Sequence, residues 1–233
     1  MNRPTWFLDE VAHAGEEHLD PGYVATYTDK AQVDPTEDLT LLRTLGLNEH
    51  SVLIDLGAGS GTFALAAAAL CRRVIAVDIS PAMLATLRAQ AAARGLRNVE
   101  GVQGGFLTYA HQGEPADIVY SRHALHHLPD FWKAVALAHV AVFLRPGGVL
   151  RLRDLVYSCE PGNIEHVIEP WLATAATRPE EGWTRWELET HVREEYSPFS
   201  WALEAMLEHA GFQIQQAQYA PSRIYAAYTC MKR

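Results

Sequence analysis

Cysteine is scarce: three residues in 233, Cys71, Cys159 and Cys230, with no C-x-x-C pair and no histidine at ligand spacing. That excludes a disulfide framework and a zinc site built on them. No apolar run approaches the roughly 20 residues that a membrane helix needs. The N-terminal stretch MNRPTWFLDEV turns acidic at once and lacks the apolar centre of a signal peptide, so the expected location is the cytoplasm. Positive charge is also in short supply. Nineteen Lys and Arg stand against 28 Asp and Glu, for a net charge of −9. An acidic surface repels phosphate backbones, so no nucleic-acid partner is expected. The nearest basic pairs, Arg72-Arg73 and Arg151/Arg153, sit beside predicted strands and read as solvated strand-edge charges. Missing too are a G-x-S-x-G elbow, a Cys–His pairing signal and a Walker lysine.

What is present is an ordinary globular composition, 48% apolar and 20% charged, enough for one α/β domain with a small cap. Residues 1–48 read as helical and irregular. Asp34-Pro35 starts a helix, Leu39, Leu42 and Leu45 follow at helical spacing, and Gly46 ends it. Short apolar strands then alternate with helices. The strands are Ser51–Leu56, Val74–Asp78, Val99–Gln103, Asp117–Ser121 and Val149–Leu155. The helices are Thr62–Leu70, one capped by Ser80-Pro81 and stopped by Gly95, and one capped by Asp130 with Val135, Ala138 and Val142 on a shared face. Continuous apolar strands alternating with helices predict a doubly wound, mostly parallel sheet. Between residues 156 and 197 the pattern changes. Ile164, Val167, Ile168, Trp171 and Leu172 follow the helix period, and Thr184 with Glu187 forms a capping-box signature. This stretch, rich in Trp171, Trp183 and Trp186, is expected to cap the carboxyl edge of the sheet. A helix begun by Ser197-Pro198 and ended by Gly211 precedes two strands, Phe212–Tyr219 and Arg223–Met231, joined by a short turn.

The strongest local signal is Asp55-Leu56-Gly57-Ala58-Gly59-Ser60-Gly61 at a strand-to-helix turn. Glycines there permit a tight turn and close approach of a ligand. Asp78 ends the next strand, about 20 residues on, where a carboxylate can accept from both ribose hydroxyls. Both features fall at the carboxyl edge of the sheet, so the combination predicts nucleoside binding. A nicotinamide-dependent oxidoreductase shares these features, but the spacing here is G-x-G-x-G, not G-x-G-x-x-G, and the chain closes with a hairpin.

Residues 52–64, VLIDLGAGSGTFA, resemble the first motif of the class I S-adenosylmethionine-dependent methyltransferases. VIAVDIS (74–80), ADIVYSRHALHHL (116–128) and LRPGGVLRLRD (144–154) resemble the motifs that follow, in order and at suitable spacing. The resemblance runs from Leu39 to Arg233. It implies a doubly wound seven-stranded sheet, mostly parallel with an antiparallel terminal strand, S-adenosyl-L-methionine as cofactor, and methyl transfer to a small-molecule acceptor. A non-catalytic protein that binds the same cofactor, or an enzyme that modifies a protein, would share these motifs. It divides the chain into an N-terminal segment over the cofactor (1–48) and a methyltransferase domain (49–233) whose residues 156–197 cap the acceptor.

Position by position, Asp55 is implied to accept near the amino-acid tail, with Gly57, Ala58, Gly59 and Gly61 lining its path. Asp78 holds the ribose, Ile79 packs on the adenine, and Met83 borders it. Ser121 and Arg122 lie near the methionine moiety, and Phe106 stacks on the base. Family members place an acid after strand three to accept from the adenine amino group. Here Gly105 stands in that place, which leaves open how the base is read. In the N-terminal segment His18, Tyr23, Tyr27 and Lys30 stand out. Tyr23 and Tyr27 share a helix face, and Tyr27 is the expected cofactor contact. Methyl transfer from a sulfonium runs on positioning and desolvation, so no catalytic dyad is required. If the acceptor must lose a proton, His123, His126 and His127 after strand four are the candidate bases, against a plain role in fixing the loop. Adjacent His126 and His127 point different ways and no partner set is visible, so no metal is expected.

Overall fold

Five apolar runs set the layout, because strands buried on both faces carry no polar alternation. The computed structural model describes residues 4–13 and 34–233. In it, helix α1 (Thr36–Thr44) leads into strand β1 (Val52–Leu56), α2 (Thr62–Ala67), β2 (Arg73–Asp78), α3 (Pro81–Ala93), β3 (Val99–Gln103) and β4 (Ala116–Arg122). Then come α4 (Asp130–Phe143), β5 (Leu144–Leu155), α5 (Ile164–Leu172), α6 (Arg185–Glu194), α7 (Ser200–His209), β6 (Phe212–Tyr219) and β7 (Tyr225–Lys232). The sheet order is β3-β2-β1-β4-β5-β7-β6. β1 to β5 run parallel, and β7 is antiparallel to both of its neighbours. This is the expected doubly wound seven-stranded sheet.

Alternate strand residues feed two cores. Ile54, Val77, Val119 and Leu152 pack with Leu137 and Val140 of α4 and Leu207 of α7. Leu53, Val74, Ala76 and Tyr120 pack on the other face with Leu42 of α1, Phe63 of α2 and Leu87 of α3. A third cluster joins Val167, Trp171 and Leu172 of α5 and Leu188 of α6 to Leu155, Tyr157 and Ile224 at the sheet's edge. Helix α6 starts with the expected capping box of Thr184 and Glu187. The order of strand addition reverses beside β1, which lies between β2 and β4. An open α/β sheet forms its ligand crevice at such a switch point.

Several expectations need correction. Arg151 and Arg153 are not solvated edge charges. Arg151 is fully buried on a central strand, and its guanidinium Nε lies 2.9 Å from Asp38 Oδ1 on α1. Arg153 reaches the other Asp38 oxygen at 2.9 Å. Burial alone would raise the Asp38 pKa, but Arg153 and Arg151 together hold it below its ordinary value. Arg72 and Arg73 are surface residues as expected, paired with Glu114 and Glu100. On α4 the buried stripe is Lys133, Ala136, Leu137, Val140 and Ala141. Val135 and Val142 face solvent, Val142 at 72% exposure. The helix is so rich in Ala and Val that two stripes fit the same period, and contact with the sheet chose the other one. Asp130 is the first helical residue and not the cap, and it pairs with Lys133 at 3.0 Å. Helix α2 stops at Ala67, where Leu70 N–H turns back onto the Ala67 carbonyl. Helix α7 starts at Ser200, capped by Phe199 and not by Ser197. Among the described residues, no helix is long and apolar enough to cross a membrane.

Candidate functional site

The turn after β1 is built from backbone that only glycine adopts cheaply. Gly57, Gly59 and Gly61 have φ of 74°, 54° and 91°. A Cβ on Gly57 would collide with Ala124, so the bare glycine is what lets this turn touch the loop after β4. The N–H groups of Gly57 and Ala58 both donate to Val77 O, at 2.9 and 3.0 Å, and lock the turn to β2.

Asp78 closes the other side. Its two oxygens accept from Gly59 N–H and Ser80 N–H, each at 2.8 Å. A carboxylate offers about four lone-pair positions, and Asp78 lines the cavity beside this turn. Ser80 caps α3 as expected, accepting from Met83 N–H at 3.2 Å. Asp55, at the end of β1, is buried. Desolvation and then the nearby Asp78 charge push its pKa up to about 8.

Of the expected cofactor residues, Asp55, Gly57, Ala58, Gly59, Asp78, Ile79, Met83, Gly105, Phe106 and Arg122 line a single cavity, together with His123 and His127. Gly61 turns away from it toward Leu87. Ser121 and His126 are buried and do not line it. Tyr27, with His18, Tyr23 and Lys30, lies outside the described residues. Three buried polar atoms of residues lining this cavity have no hydrogen-bond partner among the described residues: Asp55 Oδ2, Arg122 Nε and Glu10 Oε2. Buried polar groups are almost always paired, so such atoms call for a ligand.

The histidines separate by environment. His126 Nδ1 is 2.5 Å from Asp154 Oδ1, and its Nε2 is 3.0 Å from Glu195 Oε2. Burial would lower its pKa, but Asp154 and then Glu195 override that and lift it to about 9. His191 pairs with the same Glu195 oxygen and reaches Ser197 Oγ at 2.8 Å. His123, at a positive φ of 51°, is pushed down to about 4, chiefly by burial. His126, His127 and Glu195 bring potential metal-ligand atoms within 4.8 Å of one another. The third partner invisible in the sequence is therefore Glu195. A metal there would have to displace the proton that Asp154 and Glu195 favour on His126.

Sequence reasoning missed Glu10, Lys133, Asp154 and Glu195. Lys133 is fully buried; its ammonium donates to Leu128 O at 2.5 Å and also to Tyr196 O. Tyr196 N–H donates to His126 O at 2.9 Å, so the end of the 156–197 stretch is tied to the loop after β4. Only Asp154 lay inside a motif that the sequence offered.

A family model described as "Methyltransferase domain" matches residues 53–148. Among curated proteins, the "Uncharacterized methyltransferase YcgJ" of Bacillus subtilis is 32% identical over 129 residues, 55% of this chain and 50% of that protein. A ribosomal protein L11 methyltransferase of Thiobacillus denitrificans is 34% identical over 188 residues, 78% of this chain and 57% of that one. The chain spans about half the length of these curated relatives. Among solved structures, the magnesium protoporphyrin IX methyltransferase of Synechocystis with bound S-adenosylmethionine is similar in fold. Its TM-score is 0.65 at 13% identity, covering 99% of this chain and 100% of that one. The family-model match, the methyltransferase relatives and the shared fold support a class I S-adenosylmethionine-dependent methyltransferase. The cofactor of that family is an adenosine joined to a zwitterionic tail. The cavity fits such a group, with acceptors for hydroxyls and an ammonium and a donor for a carboxylate.

Proposed function

We propose that this protein binds S-adenosylmethionine in the crevice beside β1 and transfers its methyl group to a small-molecule acceptor. The observation that carries this reading is the set of unpaired buried atoms around one cavity. Asp78, at the end of β2 on the cavity wall, takes the ribose hydroxyls. Asp55 Oδ2 takes the tail ammonium, directly or through water, and Arg122 Nε takes the tail carboxylate. Ile79, Met83 and Phe106 pack on the adenine, and Gly57 and Gly59 let the tail pass close to the backbone.

When bound, the donor supplies an activated methyl on a sulfonium. The chain's own residues hold the reactants in line and exclude water, and orientation of that kind supplies several kcal/mol of the barrier reduction. His126 is no base, because its proton is already held between Asp154 and Glu195. If the acceptor has a proton to lose, His123 and His127 border the cavity and are placed to receive it. The low basicity of His123 favours His127. Residues 156–197, anchored through Tyr196 and the α5–α6 cluster, frame the acceptor side, and the N-terminal segment covers the donor. Nucleic acid and membrane play no part in this reading, in keeping with the net charge of −9. A cytoplasmic setting keeps the free thiols of Cys71 and Cys230 reduced.

Calorimetry with S-adenosylhomocysteine and NAD in parallel tests the donor site. Binding of the first and no heat from the second is expected. NAD binding without S-adenosylhomocysteine binding would overturn the reading. Labelled donor incubated with hydroxyl-, amine- and carboxylate-bearing metabolites, and with ribosomal protein L11, tests the acceptor. Label is expected on a metabolite. Label on the protein alone would move the acceptor to a protein, and label nowhere would favour a non-catalytic binder.

A further inference from the structure

We propose that Glu10, reaching in from the N-terminal segment, accepts a hydrogen bond from the adenine 6-amino group and so replaces the acid that is absent at Gly105. This rests on the donor site proposed above. The two positions exclude one another sterically. A Cβ built on Gly105 would stand 2.5 Å from Glu10 Oε1 and 2.9 Å from Oε2. The Glu10 carboxylate therefore fills the space that a side chain at position 105 would occupy, delivered from 95 residues upstream.

Glu10 is also built in, not draped over the surface. It is 6% exposed. Its Oε1 accepts from Leu107 N–H at 2.9 Å. The segment carrying it is docked by Phe7, whose ring lies 4.9 Å from that of Trp132 on α4. Oε2 finds no partner among the described residues. A buried carboxylate oxygen left without a donor is costly, and the cavity it lines is shared with Asp78, Ile79 and Met83. The ribose on Asp78 sets the base down against Ile79, within reach of the β3 loop. The exocyclic amine of adenine is a donor, whereas a 6-oxo base presents an acceptor at the same place. A lone acceptor such as Oε2 therefore selects the amine and rejects the oxo group.

The plainer alternative is a structural pin, Glu10 holding its segment through Leu107 N–H alone. Calorimetry with S-adenosylhomocysteine and its deaminated analogue S-inosylhomocysteine separates the two. The wild type is expected to prefer the adenosyl ligand by at least about tenfold, the effect of one hydrogen bond to a charged group. Glu10→Ala is expected to lose about tenfold for the adenosyl ligand and little for the inosyl one. Glu10→Gln keeps an oxygen for Leu107 N–H and puts an NH2 group where Oε2 stands, so it is expected to shift the preference toward the inosyl ligand. Gly105→Asp added to Glu10→Ala has room for its side chain and is expected to restore the adenosyl preference. Equal losses for both ligands in Glu10→Ala and Glu10→Gln, with the preference unchanged, would reduce Glu10 to a structural pin while leaving the donor site intact. Failure of the wild type to bind either ligand would instead remove the donor site, and this proposal with it. Thermal melts of each variant separate lost contacts from lost folding.

Discussion

Asp38 on α1 and Arg151 on β5 are 113 positions apart in sequence and 2.9 Å apart in space, and both are sealed from solvent. The pair is the centre of a small ionic knot. Tyr120 OH donates to Asp38 at 3.0 Å, Arg153 bonds its second oxygen, and Arg151 also reaches Thr229 on β7 at 3.1 Å. The knot joins the helix before the sheet to β4, β5 and β7, and Tyr120 in turn stacks on Phe63 beside the cavity.

Removing one member strands the other charges. Asp38→Ala is therefore expected to destabilise the protein by about 3–5 kcal/mol, the usual cost of leaving a buried charge unpaired. Urea denaturation of wild type and variant measures it. A loss below about 1 kcal/mol would mean that water reaches the arginines.

Stability should fall on the alkaline side. The folded-state pKa of His126, about 9, is raised above its ordinary 6.5. Its contribution is fully present below pH 6.5 and is lost as pH climbs through 9. On the acid side, Asp154 and Glu195 are held below their ordinary values. Their contribution is lost as pH falls beneath the usual carboxylate range. Denaturation midpoints at pH 6 and pH 9 should differ in wild type, and Glu195→Gln should shrink that difference. Identical slopes in the two proteins would contradict the pairing.

Donor binding should release a proton near neutrality. Asp55, at about 8, is largely protonated in the free protein at pH 7. A ligand ammonium on its oxygen favours the carboxylate. Affinity for S-adenosylhomocysteine should therefore rise with pH up to about 8. The measured enthalpy at pH 7 should depend on the ionisation enthalpy of the buffer, and Asp55→Asn should abolish that dependence. A buffer-independent enthalpy in wild type would show that Asp55 stays protonated or never meets the ammonium.

The two glycines at the turn should respond differently to a methyl group. Gly57→Ala meets Ala124 and carries the cost of a positive φ, so about 2–4 kcal/mol of stability should be lost. Gly59→Ala has open space around its new Cβ and should lose only the φ cost, about 1–2 kcal/mol. Its larger effect should be on ligand affinity, since the residue lines the cavity. Melting curves and titrations of both variants check the contrast. Equal melting temperatures would rule it out.

Much of this site is readable in sequence because its determinants are local. A glycine turn and a carboxylate at a strand end are set by neighbours a few positions away, and ten of the expected cofactor residues do line one cavity. The remainder depends on long-range encounters. Arg151 reads as a solvated charge because its partner lies on a distant helix. Glu10 reads as one acid among many, since its meeting with Leu107 spans 97 positions. Gly105 was a visible gap, but nothing near it announced what fills it. The buried face of α4 is not legible in its sequence because an Ala- and Val-rich helix offers two stripes, and only the sheet decides between them.

β6 touches the sheet through β7 alone, and β7 sits between it and β5. The strand made earlier thus waits for the one made later. A clip that cost the molecule only its final strand would therefore release two, and lay bare the flank of β5 that carries Arg151. Amide protons of β6 should then exchange at least as readily as those of β7, since no opening of the inner strand leaves the outer one in place.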